Sequence, residues 1–144
     1  MKIVINRCHG GFGLSPTALH WLHARGCEGI ATPVKEYYGP KWNDKASEDL
    51  KAWNKWWKDL NRPRENPIFM TVFSLDEQYV LNDSGVKRDD PLLIRCINEL
   101  GVEEVNGRFA ELVIVEVPDY VGSNWYIHDY DGAEAVHENH QSWS

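Results

Sequence analysis

Long apolar runs, paired cysteines and basic residues in the second half are all scarce in this chain. Each shortage removes a class of protein. No stretch approaches the roughly 18–20 apolar residues of a membrane span. The opening Met1-Lys2-Ile3-Val4-Ile5 is too short to be the apolar region of a signal peptide. Cys8, Cys27 and Cys96 form no CxxC pair and follow no zinc-ligand spacing, so no disulfide framework, metal or cofactor is expected. Such usage suits a reducing compartment, and the cytoplasm is the expected location. A net charge of -7 excludes a general nucleic-acid binder, which carries a basic surplus. Repeats, low-complexity tracts and linker-like stretches are absent as well.

What remains is the material of one domain. With 144 residues, 42% of them hydrophobic, the chain can bury one core, and a second independent core is not expected. The charge is unevenly placed: residues 1–64 hold 11 Lys/Arg against 6 Asp/Glu, whereas residues 65–144 hold 4 against 16. Either the halves attract each other within the fold, or one offers a basic face to an anion or an acidic face to a basic protein.

The periodicities predict a mixed sheet flanked by about four helices, an α/β (α+β) fold. Lys2 to Asn6 reads as a buried strand. Ser15-Pro16 is a cap-then-proline start for a helix to about Arg25, closed by Gly26. Residues 27–44 read as a strand and a loop. The stripe Ala46, Leu50, Trp53, Trp57 and Leu60 predicts a helix over about 44–60. Residues 68–73 and 78–81 suit an antiparallel pair. Asp90-Pro91 opens a helix to Leu100. Leu112–Val117 and Trp125–His128 read as strands, and Asp131-Gly132 as the start of a short last helix through about His137.

Chemistry is best placed at the loop Asn6-Arg7-Cys8-His9-Gly10-Gly11-Phe12-Gly13-Leu14-Ser15. Free backbone N–H groups beside glycines at a helix start make an anion site. The loop lacks the Gly-Lys-Ser/Thr of a Walker motif and the third glycine of GxGxxG. The expected ligand-binding residues are Asn6, Arg7, His9, Gly10, Gly11, Phe12, Gly13 and Ser15. Arg88 and Arg108, rare bases in the acidic half, join them as anion holders or as partners of carboxylates. Asp131 and His140 are expected near the loop from the other end of the chain.

Other features weigh less. Cys8 beside His9 would suit a nucleophile and base, but adjacent residues seldom face each other, and a packed thiol is the plainer reading. His137 and His140 stand three apart, but HExxH is absent. In Lys51–Lys58, Trp53 and Trp57 fall on the apolar stripe. Trp56 alone stands off it as a candidate for stacking on bases.

The opening Lys2-Ile-Val-Ile-Asn-Arg-Cys-His-Gly-Gly-Phe-Gly-Leu-Ser15 resembles a family of small uncharacterised phage and prophage proteins. So do Asp90-Pro-Leu-Leu-Ile-Arg95, Glu99-Leu-Gly101, Ala110–Asp119 and the closing Tyr130-Asp-Gly-Ala-Glu134 with His140 and Trp143. These blocks cover about half of the chain. The segment at about 35–66 has no counterpart and reads as a family-specific insertion, and His9 stands where an aromatic residue is usual. The resemblance implies an α/β fold, a viral or prophage origin and hence a host cytoplasm, but no settled activity. By analogy with phage proteins of this size, the leading expectation is a non-catalytic counter-defence protein that sequesters an anionic nucleotide-like ligand. One alternative is an inhibitor that binds a host defence protein through the acidic C-terminal half. Another is a small hydrolase or transferase using Cys8 or His9 with Asp131 or His140. Self-association into a homo-oligomer stays open.

Overall fold

The computed structural model describes residues 1–59 and 71–139, and the backbone alone for residues 41–43, 58 and 59. In chain order its elements are β1 (Lys2–Asn6), α1 (Pro16–Ala24), β2 (Ala31–Pro33), α2 (Val34–Tyr38), α3 (Trp42–Asp59), β3 (Val72–Phe73) and β4 (Tyr79–Leu81). Then come α4 (Pro91–Leu100), α5 (Val102–Val105), β5 (Leu112–Glu116), β6 (Trp125–Tyr130) and β7 (Ala133–Glu138). The α/β class stands. The strands pair antiparallel in three separate sheets, β1–β5, β2–β4–β3 and β6–β7, rather than in one mixed sheet.

The reason lies at the second edge of β1. Its first edge pairs with β5 in the register Lys2↔Glu116 to Asn6↔Leu112. On the other side the Val4 N–H donates to the Arg88 carbonyl at 2.8 Å, and the Asn6 N–H to the Glu134 carboxylate at 2.8 Å. With those donors occupied, no ladder is left for a third strand to join.

Both cap-and-proline signals act as expected. The Ser15 hydroxyl accepts from the Ala18 N–H at 3.1 Å, and the Asp90 carboxylate from the Leu92 N–H at 2.8 Å. Proline fills the first helical position in each case, where no intrahelical N–H is needed. Helix α1 buries Ala18, Leu19 and Leu22, while Trp21 stays half-buried beneath the Arg25 guanidinium, 3.7 Å from its ring centroid. After Gly101 the chain makes one more helical turn, α5, which the sequence reading lacked.

The segment from about 35 to 66 carries core. Trp53, Trp56 and Trp57 are all buried and join one cluster with Val4, Leu22, Phe73, Leu93 and Leu112. Trp53 and Trp57 stack at 4.9 Å, and His20 packs edge-on against both. Trp56, the candidate for stacking on bases, is thus a core residue. Residues 60–66 of the segment lie outside the described residues, as do residues 68–70 of the strand expected at 68–73.

The last expected helix is a strand. Asp131 and Gly132 both have positive φ, 52° and 91°, and join Tyr130 to Ala133 as a two-residue hairpin turn. Asp-Gly is the favoured pair for such a turn because it tolerates left-handed backbone at both positions. Pairing with β6 then overrides the helical preference of Ala133-Glu134-Ala135.

Gly132 also sits against the Gly-rich loop. A β-carbon there would lie 2.4 Å from the His9 carbonyl oxygen and 2.8 Å from the Gly11 nitrogen. Gly132→Ala is expected to cost about 2–4 kcal/mol, combining strain at positive φ with displacement of packed backbone. Urea unfolding measures it; a loss below about 0.5 kcal/mol would mean that the hairpin does not press on the loop.

Candidate functional site

The Gly-rich loop lies between two covering segments. On one side is the turn at 107–109. Gly13 carbonyl accepts from the Gly107 N–H at 2.8 Å, and a β-carbon on Gly10 would fall 1.9 Å from the Phe109 carbonyl oxygen. On the other side is the tip of the β6–β7 hairpin. The His9 Nδ1 is 3.1 Å from the Asp131 carbonyl and donates to it as the Nδ1–H tautomer. Gly10 therefore serves close approach of chain to chain, and Gly11, at φ 91° with open space around it, serves backbone conformation.

Asn6 is the fastening point. Its fully buried side chain donates to the Cys8 carbonyl at 2.7 Å and to the Gly132 carbonyl at 2.8 Å, and it accepts from the Glu111 N–H at 2.7 Å. Both donor hydrogens and one lone pair of the Asn6 amide are thus occupied within the protein, and the Cys8 sulfur crowds the remaining lone pair at 3.4 Å. Ser15 is likewise consumed, capping α1 and donating to the Glu104 carbonyl, while its N–H bonds Val105. Neither residue is available to a ligand, and with Pro16 and the capped Ala18 N–H the α1 terminus offers little to an anion.

Arg88 is committed too. Its two terminal nitrogens meet both oxygens of Glu134, at 2.7 and 2.9 Å, and its guanidinium lies 3.5 Å above the centroid of Phe12. The pair is sheltered, with 19% of the Arg88 side chain and 5% of the Glu134 side chain exposed. Phe12 is thus a platform for Arg88 rather than for a ligand. Asp83 stands nearby and accepts from the Leu14 N–H at 2.9 Å. Burial raises its pKa above the ordinary carboxylate value, against the opposing pull of that N–H and of Arg88.

Some of the expected site stays open. Arg7 projects to solvent, and among the described residues its guanidinium meets no partner. The N–H groups of Cys8 through Gly13 find no acceptor among the described residues. Arg108 is exposed on the covering turn, with its guanidinium 5.5 Å from the Phe109 ring. The Asp131 side chain is exposed at the hairpin tip, and His140 lies outside the described residues. Glu134, Phe109 and Glu111 complete the assembly. The one signal for Glu134 was that Arg88 needed a carboxylate.

No family model, curated protein or solved structure matches the chain.

Nucleophilic chemistry has weak support in this geometry. The Cys8 thiol donates to the Phe109 carbonyl at 2.9 Å, and the His9 imidazole is turned to the Asp131 carbonyl, so neither activates the other. Burial raises both Cys27 and Cys96 to about 12, with the Asp90 carboxylate adding to the rise at Cys27, so both stay protonated thiols. Among the described residues no group of three His, Cys, Asp or Glu side chains is placed to hold a metal. A groove of about 670 Å³ opens at the far end of β1, between Met1-Lys2 and Pro91, Ile94, Arg95 and Asn98 of α4. No described helix is long and apolar enough to cross a membrane.

The ion pair and Asp83 each give a test. Glu134→Gln strands the Arg88 charge and is expected to cost about 3 kcal/mol, while the double change Arg88→Met with Glu134→Leu recovers much of that loss. Equal losses in the single and double variants, by urea titration, would disprove that account. A raised native pKa means that Asp83 binds its proton more tightly when folded. Its stabilising share is complete below 3.8 and is lost as pH rises through the raised value. Asp83→Asn cannot titrate, so its melting temperature should gain on the wild type from acidic toward neutral pH; parallel curves would refute the assignment.

Proposed function

We propose that the chain is a non-catalytic binding protein that acts in counter-defence, by analogy with phage proteins of this size. It works in the host cytoplasm by docking an acidic, aromatic side onto a basic protein surface. The observation that carries this reading is the exposure of large rings beside the Gly-rich loop and along the hairpin. Phe109 is 55% exposed and Tyr130 72%, with Tyr126 further along β6 at 44%. Phe109 and Tyr130 flank loop residues 9 and 10, and the exposed carboxylates Glu111, Asp131 and Glu138 have no ion-pair partner among the described residues. Exposed aromatic anchors within a charged rim are the pattern of a protein interface. The surplus of acid in residues 65–144 supplies the complementary field for a basic partner.

A second reading, capture of an anionic nucleotide-like ligand, is favoured by the N–H groups of Cys8–Gly13, which meet no acceptor among the described residues, and by the exposed Arg7. The negative potential of Asp131 and Glu111 at the same loop weighs against it.

Affinity capture from host lysate separates the two. Docking predicts a basic protein retained at low salt and released at about 0.5 M salt. Its retention should fall about ten-fold or more in Tyr130→Ala and Phe109→Ala, with folding unchanged. If nothing is retained at low salt, the docking reading fails. Cyclic nucleotides that bind wild type, return intact after denaturation and are lost on Arg7→Ala would establish the second reading instead.

A further inference from the structure

The hairpin places two histidines together that the sequence sets nine positions apart. Tyr126 pairs with His137 and His128 with Ala135, so His128 and His137 are diagonal neighbours on the outward face of the β6–β7 sheet. Their ring centroids are 5.2 Å apart with the planes tilted by 32°. Both side chains are exposed. A helix over 131–137 would have turned His137 toward His140. The strand turns it toward His128.

We propose that His128 and His137 form a two-imidazole chelate for a borderline transition-metal dication such as nickel or zinc. With a metal–nitrogen bond of about 2.1 Å, two imidazoles on one cation hold their centroids roughly 4.5–5.3 Å apart, for angles between a right angle and the tetrahedral one. The observed separation falls in that interval, so the rings are spaced to share a metal once a nitrogen of each is turned to it. The Tyr126 ring packs 5.5 Å from His137. Ala135, directly across from His128, puts only a methyl group beside the pair and leaves the remaining coordination positions to water or an outside ligand. Imidazole nitrogen selects nickel, copper and zinc over magnesium and calcium. The site shares a face with Tyr126 and Tyr130 but rests on its own geometry, whether or not the docking reading holds.

Nickel titration of the full chain at mildly alkaline pH tests it, followed by calorimetry and by amide NMR. One nickel per chain is expected in the micromolar range, with paramagnetic broadening centred on residues 126–128 and 135–137. His128→Ala and His137→Ala should each weaken binding by about ten-fold or more. Both positions are exposed, so the unliganded variants should melt as the wild type does, and His→Asn changes give a second, polar pair. Millimolar magnesium should not displace the nickel. Binding that survives both substitutions, broadening centred elsewhere, or no saturable binding up to millimolar nickel overturns the proposal.

Discussion

Glu134 lies where three stretches far apart in the chain converge. Its carboxylate receives both arms of the Arg88 guanidinium and the N–H of Asn6, and Arg88 in turn rests on Phe12 and reaches the Val4 carbonyl. An ion pair so sheltered has surrendered most of its hydration, and its attraction repays that only while the geometry holds. Its value is therefore one of placement. It fixes the hairpin against β1, and that fixes which parts of the Gly-rich loop are covered and which face solvent.

Close backbone contact extends the same constraint. Gly10 meets Phe109, Gly107 meets Gly13, and Gly132 meets His9 and Gly11, so that a β-carbon on Gly10, Gly107 or Gly132 would collide with backbone. The loop is clasped from two directions by main chain, and Asn6 supplies the polar partners that buried carbonyls require. Glycine here serves packing first. What reaches solvent is a rim of rings and carboxylates.

Local signals were legible in the sequence where the physics is local. The caps at Ser15 and Asp90, the β-branched runs at 2–6 and 112–116, and the apolar stripe of α3 each determine their element within a few residues. The α/β class followed from them. Strand partnership was not legible, because it depends on which donors of β1 are already taken by Arg88 and Glu134, over eighty residues away. Asp131-Gly132 suits a helix start in sequence because Asp caps helices as readily as it turns hairpins, and the partner strand decides between them. The loop's glycines could signal either a ligand or a neighbouring chain. Gly10 and Gly13 met a neighbouring chain, and that left the anion reading with Arg7 and the N–H groups of residues 8–13 alone.

The pairing of β1 with β5 bears on how the molecule is made. Residues 2–6 are synthesised more than a hundred residues before their hydrogen-bonding partners at 112–116 and the carboxylate at 134. Until then Ile3, Val4 and Ile5 are a short apolar strand with both edges bare. Closing a loop of that length is slow compared with forming a helix, so β1 stays without its partner strand at least until residues 112–116 have been made. During that interval the nascent chain exposes this apolar segment to chaperones, or to other copies of itself.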